Sequence, residues 1–410
     1  MKTLAEPGAG LEQAALDAIN ARLQARLPAF LADLERLVNT DCGSYTRDGV
    51  NEVAGWTAER FGSLGARVER RSHDTLGDTV VAAFDGPTGP RILLIGHMDT
   101  VFDPGTAAER PFRIEQGIAY GPGVTDMKSG LLAGIYAIEA VREVLGEVPF
   151  GRLVFVANPD EEIGSPSSRP HIKALAADAD VCLVLECARA NGDIVSSRKG
   201  ILDARLTVHG RAAHAGVEPE KGRNAIVEAA RIVAELNALN GRWPGVTVNP
   251  GVIAGGTRPN VVPERCSIEV DVRAVRRAEL EAAEAAVRDI VAKPTVPDTR
   301  VEIDEMGRHW PMEKLERSSR LVEHAQAVAR RLGFEVRDAA TGGASDANTT
   351  AGMGVPTIDG LGPIGGNDHS PAEYLEVASI VPRTALLAGL LVAIARDPVV
   401  AAWRSSKPAS

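Results

Sequence analysis

"RLVFVANPDEEIGS" occupies residues 152–165. Residues 152–157 form a short apolar run of the kind that makes a strand buried on both faces. The run leads straight into three acids, Asp160, Glu161 and Glu162. Adjacent carboxylates repel one another and lose solvation in a tight cleft. A core strand that ends in such a cluster needs open water or a positive partner.

The same pattern recurs on either side. "RILLIG" (91–96) leads into His97 and Asp99, "VCLVLE" (181–186) ends in Glu186, and "DTVVAAF" (78–84) is a further β-type run. Between them lies "MKSGLLAGIYAIEAVREVL" (127–145), and ahead of them "ARLQARLPAFLADLERLVN" (21–39), both with helical apolar spacing. Strands alternating with helices predict an α/β domain. Its sheet should be mixed, mostly parallel and covered by helices on both faces.

The middle of the chain reads differently. "ILDARLTVHG" (201–210), a helix at 223–240, strands at 245–256 and 265–275, a helix at 277–292 and "RVEIDEM" (300–306) follow in order. Strand–helix–strand–strand–helix–strand is the ferredoxin-like α+β unit. The pattern then returns to helix at 320–333 and to strand and loop at 354–363. The expected organisation is a catalytic domain in two parts, 1–198 and 312–410, interrupted by a smaller domain at 199–311. A chain of 410 residues is long enough for both.

Composition sets outer bounds. With 44 % hydrophobic and 24 % charged residues the chain has a globular composition. A formal charge of −10 and the lack of a dense basic cluster argue against a nucleic-acid partner. The N-terminal stretch lacks the apolar core of a signal peptide, and no apolar run is expected to reach membrane-spanning length. The four cysteines, without zinc-ribbon or CxxC spacing, are expected as thiols. These readings together predict a cytoplasmic protein without a membrane partner.

In open α/β sheets, ligands gather beyond the carboxyl ends of the strands. The residues there are His97, Asp126 of "GPGVTD", Glu162 and Glu186, with His369 of "GGNDHSPAEY" far downstream. Imidazole nitrogens and carboxylate oxygens suit zinc. Paired metals need a shared carboxylate, and Asp126 is the candidate. His97 and Glu186 would complete one metal, Glu162 and His369 the other. Glu161 would then take a proton from a water between the metals and return it to the leaving nitrogen. Asp99 would orient His97 through its second ring nitrogen. Singly, each residue has an ordinary reading as a solvated loop acid, a helix cap or a surface histidine. Their joint placement at strand ends weighs against that.

Together the stretches "GHMDTV", "GPGVTDMKSG", "NPDEEIGS", "VLECARANG", "HGRAAHAG", "RPNVVPERCSIEVDVR", "GGASDA" and "GNDHSPAEYLEV" resemble the two-zinc exopeptidase family of aminoacylase, succinyl-diaminopimelate desuccinylase and bacterial glutamate carboxypeptidase. They run in family order over most of the chain. The resemblance implies two Zn²⁺ per subunit (Co²⁺ or Mn²⁺ as substitutes) on the five ligands above, Glu161 as base, and a homodimer through the inserted lid domain. It assigns His214 to polarising the scissile carbonyl of a partner subunit's substrate. Asn260, Arg273 and the Gly343 loop are assigned to substrate binding. Lys199 and Arg308 lie where glutamate carboxypeptidases present cations to a side chain.

Glutamate at position 186, where aminopeptidases and dipeptidases tend to carry aspartate, favours cleavage beside a free carboxylate. The expected function is a dinuclear zinc metallocarboxypeptidase releasing a C-terminal amino acid, glutamate first, from a small N-acyl or peptidyl substrate. An N-acyl-amino-acid deacylase and a non-catalytic zinc-binding scaffold are the alternatives. A dinucleotide site at "GPGVTD" is excluded, because no third glycine follows and the acid would repel pyrophosphate.

Overall fold

The computed structural model describes residues 6–146 and 150–406, so the first five residues of the N-terminal stretch lie outside it. The chain divides into two compact units. One comprises Met1–Ser196, Lys314–Ala340 and Ser345–Ser410, the other Ser197–Glu313 and Thr341–Ala344. The expected boundaries at 198/199 and 311/312 thus sit two residues from the observed ones. Main-chain bonds explain the offset. Arg198 N donates to Met312 O and Met312 N to Arg198 O, while Lys199 N donates to Thr341 O, tying all four residues into the second unit.

The first unit is built on a six-stranded sheet in the order Arg67–Arg71, Thr79–Asp85, Arg152–Asn158, Arg91–His97, Val181–Val184, Thr357–Ile358. The first two pairings are antiparallel and the remaining three parallel, the mixed, mostly parallel sheet expected. Side chains alternate between its faces. Ile92, Leu94, Leu153, Phe155, Val181 and Leu183 join one large core with the helices Gln13–Val38, Ser129–Leu145 and Val377–Ala395. The intervening Leu93, Ile95, Val154, Val156 and Cys182 are also buried, on the face covered by Arg169–Asp178 and Asp346–Gly352. Burial on both faces is why these strands are continuously apolar.

The expectation that no apolar run reaches membrane-spanning length is corrected by helix Val377–Ala395. It has 19 residues and a mean hydropathy of 2.0, and 83 % of its apolar stretch is buried inside the protein. Packed against Gln13–Val38, Ser129–Leu145 and Glu316–Arg331, it is mostly buried and apolar over most of its surface. Its buried Arg383 donates to the carbonyls of Gly192, Gly360 and Gly362.

A small antiparallel sheet (Arg113–Glu115, Ile118–Tyr120, Tyr374–Glu376, Gly365–Gly366) also escapes the sequence patterns, its strands being only two or three residues long. It holds both ends of the loop that carries His369.

The second unit is ferredoxin-like. Its antiparallel sheet runs Thr247–Gly255, Arg265–Ala274, Gly200–His209, Arg300–His309, with Ala225–Asn237 and Arg277–Val291 against one face. Cys266, Ile268, Val270, Val272 and Ala274 alternate into its core. Glu228 is fully buried there, accepting from Thr295 N, Thr295 Oγ1, Val296 N and Arg231. Removing a buried carboxylate leaves those donors unpaired. Glu228→Ala is therefore expected to lower stability by about 3 kcal/mol, read as an earlier urea midpoint at constant slope.

Candidate metal centre

His97 is the last residue of the central strand Arg91–His97 and is 1 % exposed. Its Nδ1 donates to the Asp99 carbonyl at 3.0 Å, with the Asp99 carboxylate 3.4 Å away. A carbonyl can only accept, so the proton sits on Nδ1 and Nε2 offers a lone pair. That Nε2 is 3.2 Å from Asp126 Oδ1 and 3.8 Å from Glu186 Oε1.

Asp126 lies just before helix Ser129–Leu145, and its peptide with Met127 is cis. Its position is fixed by the buried Glu373, which accepts from Gly123 N and Thr125 N at 2.9 Å and from Asp126 N at 3.1 Å. Gly130 lets the helix start close onto the strand end beside Glu186, because a Cβ there would lie 1.9 Å from Leu185 O. The other oxygen of Asp126, Oδ2, is 3.2 Å from His369 Nε2, which is 3.1 Å from Glu162 Oε2. His369 adopts φ 60°, a left-handed conformation uncommon outside glycine.

Asp126 therefore divides the site. One oxygen faces His97, which also neighbours Glu186, and the other faces His369, which also neighbours Glu162.

The three acids after the Arg152–Asn158 strand have separate partners. Asp160 turns back, accepting from Ser167 N at 2.6 Å and from Ser168 N and Oγ. Glu161 and Glu162 open a short 3-10 turn whose N–H groups both donate to Asp99, at 3.1 and 3.2 Å. Ser44 Oγ donates to the same carboxylate at 2.6 Å. Asp99 thus orients His97 and also fixes the backbone of both glutamates, a second task the sequence did not reveal. Under this turn, buried Asp346 accepts from Asn158 and Ser165, each at 2.7 Å.

The charges are out of balance. Burial and the Glu186 charge hold the Glu161 carboxyl well above its usual range. Burial also raises Glu162, against the bond from His369. Bonds to Asp126 and Glu162 push the His369 imidazolium up to about 11. Two glutamates raised and the His369 imidazole held protonated are the marks of an acid cluster short of cations. The ligand atoms of His97, Asp126 and Glu162 lie within 4.8 Å of one another, as do those of His97, Glu161 and Glu186. These two clusters are consistent with a dinuclear metal site, and the donors fit it. The set is nitrogen and carboxylate oxygen only, with one carboxylate facing both histidines.

The other six candidates belong to the second unit, whereas the ligand set belongs to the first. Exposed His214 is on the two-residue strand Ala213–His214, paired with Val261–Val262, and Asn260 O accepts from Ala215 N at 3.0 Å. Arg273 pairs with Asp271 and donates to Gly342 O. Gly343 O accepts from Arg198, and Lys199 N is bonded to Thr341 O. Arg308 pairs with both Glu284 and Glu305.

Glu373 was missed, although it stands four residues after His369 in the same quoted stretch. Its hydrogen bonds go to the main-chain N–H groups of Gly123, Thr125 and Asp126, so its effect runs through the Asp126 backbone. Glu373→Gln is expected to weaken metal affinity about 10- to 100-fold, measured by competition with a chelator.

Comparison with known proteins agrees with this geometry. The family model described as peptidase family M20/M25/M40 matches residues 93–393. Carboxypeptidase G2 of Pseudomonas sp. (strain RS-16) is 32 % identical over 89 % of this chain and 89 % of its own length. Succinyl-diaminopimelate desuccinylase of Dechloromonas aromatica is 30 % identical over 81 % of this chain and 90 % of its own. Among solved structures, aminopeptidase PepT from Bacillus cereus superposes with a TM-score of 0.75 at 25 % identity, covering 90 % of this chain and 99 % of the other.

Proposed function

The chain belongs to peptidase family M20/M25/M40, and from that premise we propose that it is a two-zinc carboxypeptidase releasing C-terminal glutamate from small N-acyl or peptidyl substrates. Metallohydrolase chemistry on an amide bond is common ground for the family. The metal, the substrate and the roles of single residues are our reading. The observation that carries it is the division of Asp126 between two histidine–glutamate pairs, with Glu161 left beside them.

In this reading His97, Glu186 and Asp126 hold one zinc, and His369, Glu162 and Asp126 the other. Two dications held there would supply Lewis-acid polarisation of a carbonyl and would lower the pKa of a nearby water. Glu161 takes the proton from that water and passes it to the departing nitrogen. Asp99 keeps Glu161 in place through its backbone N–H. His214 is proposed to polarise the scissile carbonyl of a partner subunit's substrate, and Asn260 to help bind substrate. Arg273 would hold the substrate's carboxylate, the Gly343 loop approach its backbone, and Lys199 and Arg308 bind its side chain. Arg308 would first have to release Glu284 or Glu305.

Likeness to carboxypeptidase G2 and the glutamate at position 186 support a C-terminal, carboxylate-bearing leaving group. The test compares N-benzoyl-glutamate with N-acetyl amino acids as substrates. Glutamate release from the first supports the proposal. Activity confined to the N-acetyl series makes the protein a deacylase. Chelation should abolish hydrolysis and lower Tm, because a metal bound only by the folded state stabilises it. Added zinc should restore both.

A further inference from the structure

The turn that carries Glu161 and Glu162 is short and tightly bent. Gly164 N donates to Glu161 O and Ser165 N to Asp160 O, both at 2.7 Å. The chain leaves it through two successive left-handed residues, Gly164 at φ 83° and Ser165 at φ 55°. Glycine adopts that conformation freely, whereas serine does so at a cost. Something must hold Ser165 there.

The group that does so is Asp346. Its Oδ1 accepts from Ser165 Oγ and its Oδ2 from the Asn158 side-chain amide, each at 2.7 Å. Asp346 is 2 % exposed, and burial raises its carboxyl to about 6 against the bond from Ser165. Two neutral donors are modest compensation for burying a carboxylate. Its own seat is firm, since the preceding Ser345 donates through Oγ to Asp359 and through its N–H to Asn348.

The two ends of this clamp are unequal. Asn158 closes the strand Arg152–Asn158 in register with His97, and its carbonyl accepts from Met98 N at 2.8 Å. The sheet therefore fixes Asn158 with or without Asp346. Ser165 lies outside the sheet, and its main-chain bonds, to Asp160 O and from Arg169 N, are local. Asp346 thus carries the rigidity of the sheet across to the far end of the turn. Asp99 grips the middle of the same turn through the N–H groups of both glutamates.

We propose that Asp346 is a positioning residue for the metal centre. By clamping Ser165 to Asn158 it sets where Glu162 meets His369, and where Glu161 stands beside them. The inference rests on the two-metal reading above, and on none of its claims about substrate.

The experiment loads the full chain with Zn²⁺ and measures the affinity of each metal by stepwise competition with a chelator. Asp346→Ala is placed in the parent, in His97→Ala and in His369→Ala. His97→Ala keeps the metal on the Glu162 side, which Asp346→Ala should weaken about 10- to 100-fold. His369→Ala keeps the metal on the Glu186 side, whose affinity should change by no more than about twofold. In the parent, kcat should fall about 100-fold with KM little changed, the effect of misplacing a reacting group by about 1 Å. Ser165→Gly removes the same bond while suiting the left-handed backbone, so it tests the clamp even if Asp346→Ala does not fold. It should reproduce the one-sided loss.

Equal weakening on both sides would make Asp346 a general support of the fold and overturn the proposal. So would unchanged affinity in the His97→Ala background, or a Ser165→Gly variant that binds both metals as the parent does. A parent that holds a single Zn²⁺ removes the two-metal reading and the clamp together. A two-zinc parent indifferent to Asp346→Ala removes the clamp alone.

Discussion

Glu161→Gln is expected to lower kcat by about 10²- to 10⁴-fold, the usual size of a lost general base, with the protein still binding two metals. The substitution keeps the side chain's size and the backbone N–H bonded to Asp99. Only the carboxylate's ability to accept a proton is lost. Glu161 and Glu162 are adjacent and both near histidines, so the choice between base and ligand needs a physical reason. Glu162 Oε2 lies 3.1 Å from His369 Nε2, the atom that also faces Asp126. Glu161 instead faces Glu186, whose charge helps raise its pKa. Among the described residues Glu161 has no histidine of its own on the Asp126 side, whereas Glu162 shares His369 with Asp126. That favours Glu162 as the ligand and leaves Glu161 for proton transfer. Kinetics with elemental analysis of the purified variant decides. Hydrolysis at the wild-type rate would remove Glu161 as base, and loss of one metal would make it a ligand.

The parts of this arrangement that were legible are the local ones. Strands 91–97, 152–158 and 181–184 announce themselves by short apolar runs, and the polar residue after each run points to the open end of the sheet. The ferredoxin-like unit was equally plain, because its strands bury one face and alternate. What stayed hidden depends on contacts between distant segments. Glu373 grips the backbone of residues 123–126, some 250 positions away, through N–H groups that every residue except proline possesses. Asp99 was read as a partner for His97, and nothing local marks its bonds to the glutamate turn. Helix Val377–Ala395 was passed over for the opposite reason. Apolar over nearly its whole surface, with Arg383 buried as well, it shows no one-sided helical period. Even the cluster that prompted the first question was only partly readable. Asp160, which the sequence leaves without a role, closes the turn onto Ser167 and Ser168 and so keeps its charge out of the metal centre.

Asp126→Ala is expected to lose more metal than any other single ligand variant and to lower turnover by at least about 10³-fold, corresponding to several kcal/mol of lost charge stabilisation. In the proposed assignment each histidine serves one side of the centre. His97→Ala removes a donor from the Glu186 side, and His369→Ala one from the Glu162 side. Either variant leaves the opposite pair and Asp126 in place, so about one metal per chain should remain tightly bound. Asp126 faces both sides, one oxygen to each, and its removal takes a donor from both. The fold should survive the change. Glu373 grips main-chain N–H groups of residues 123–126, and those do not depend on the Asp126 side chain. Circular dichroism identical to the parent, with metal content below that of both histidine variants, is the expected result. Equal metal loss in Asp126→Ala and His369→Ala would mean that Asp126 serves one metal alone, and the two-metal assignment would fall with it.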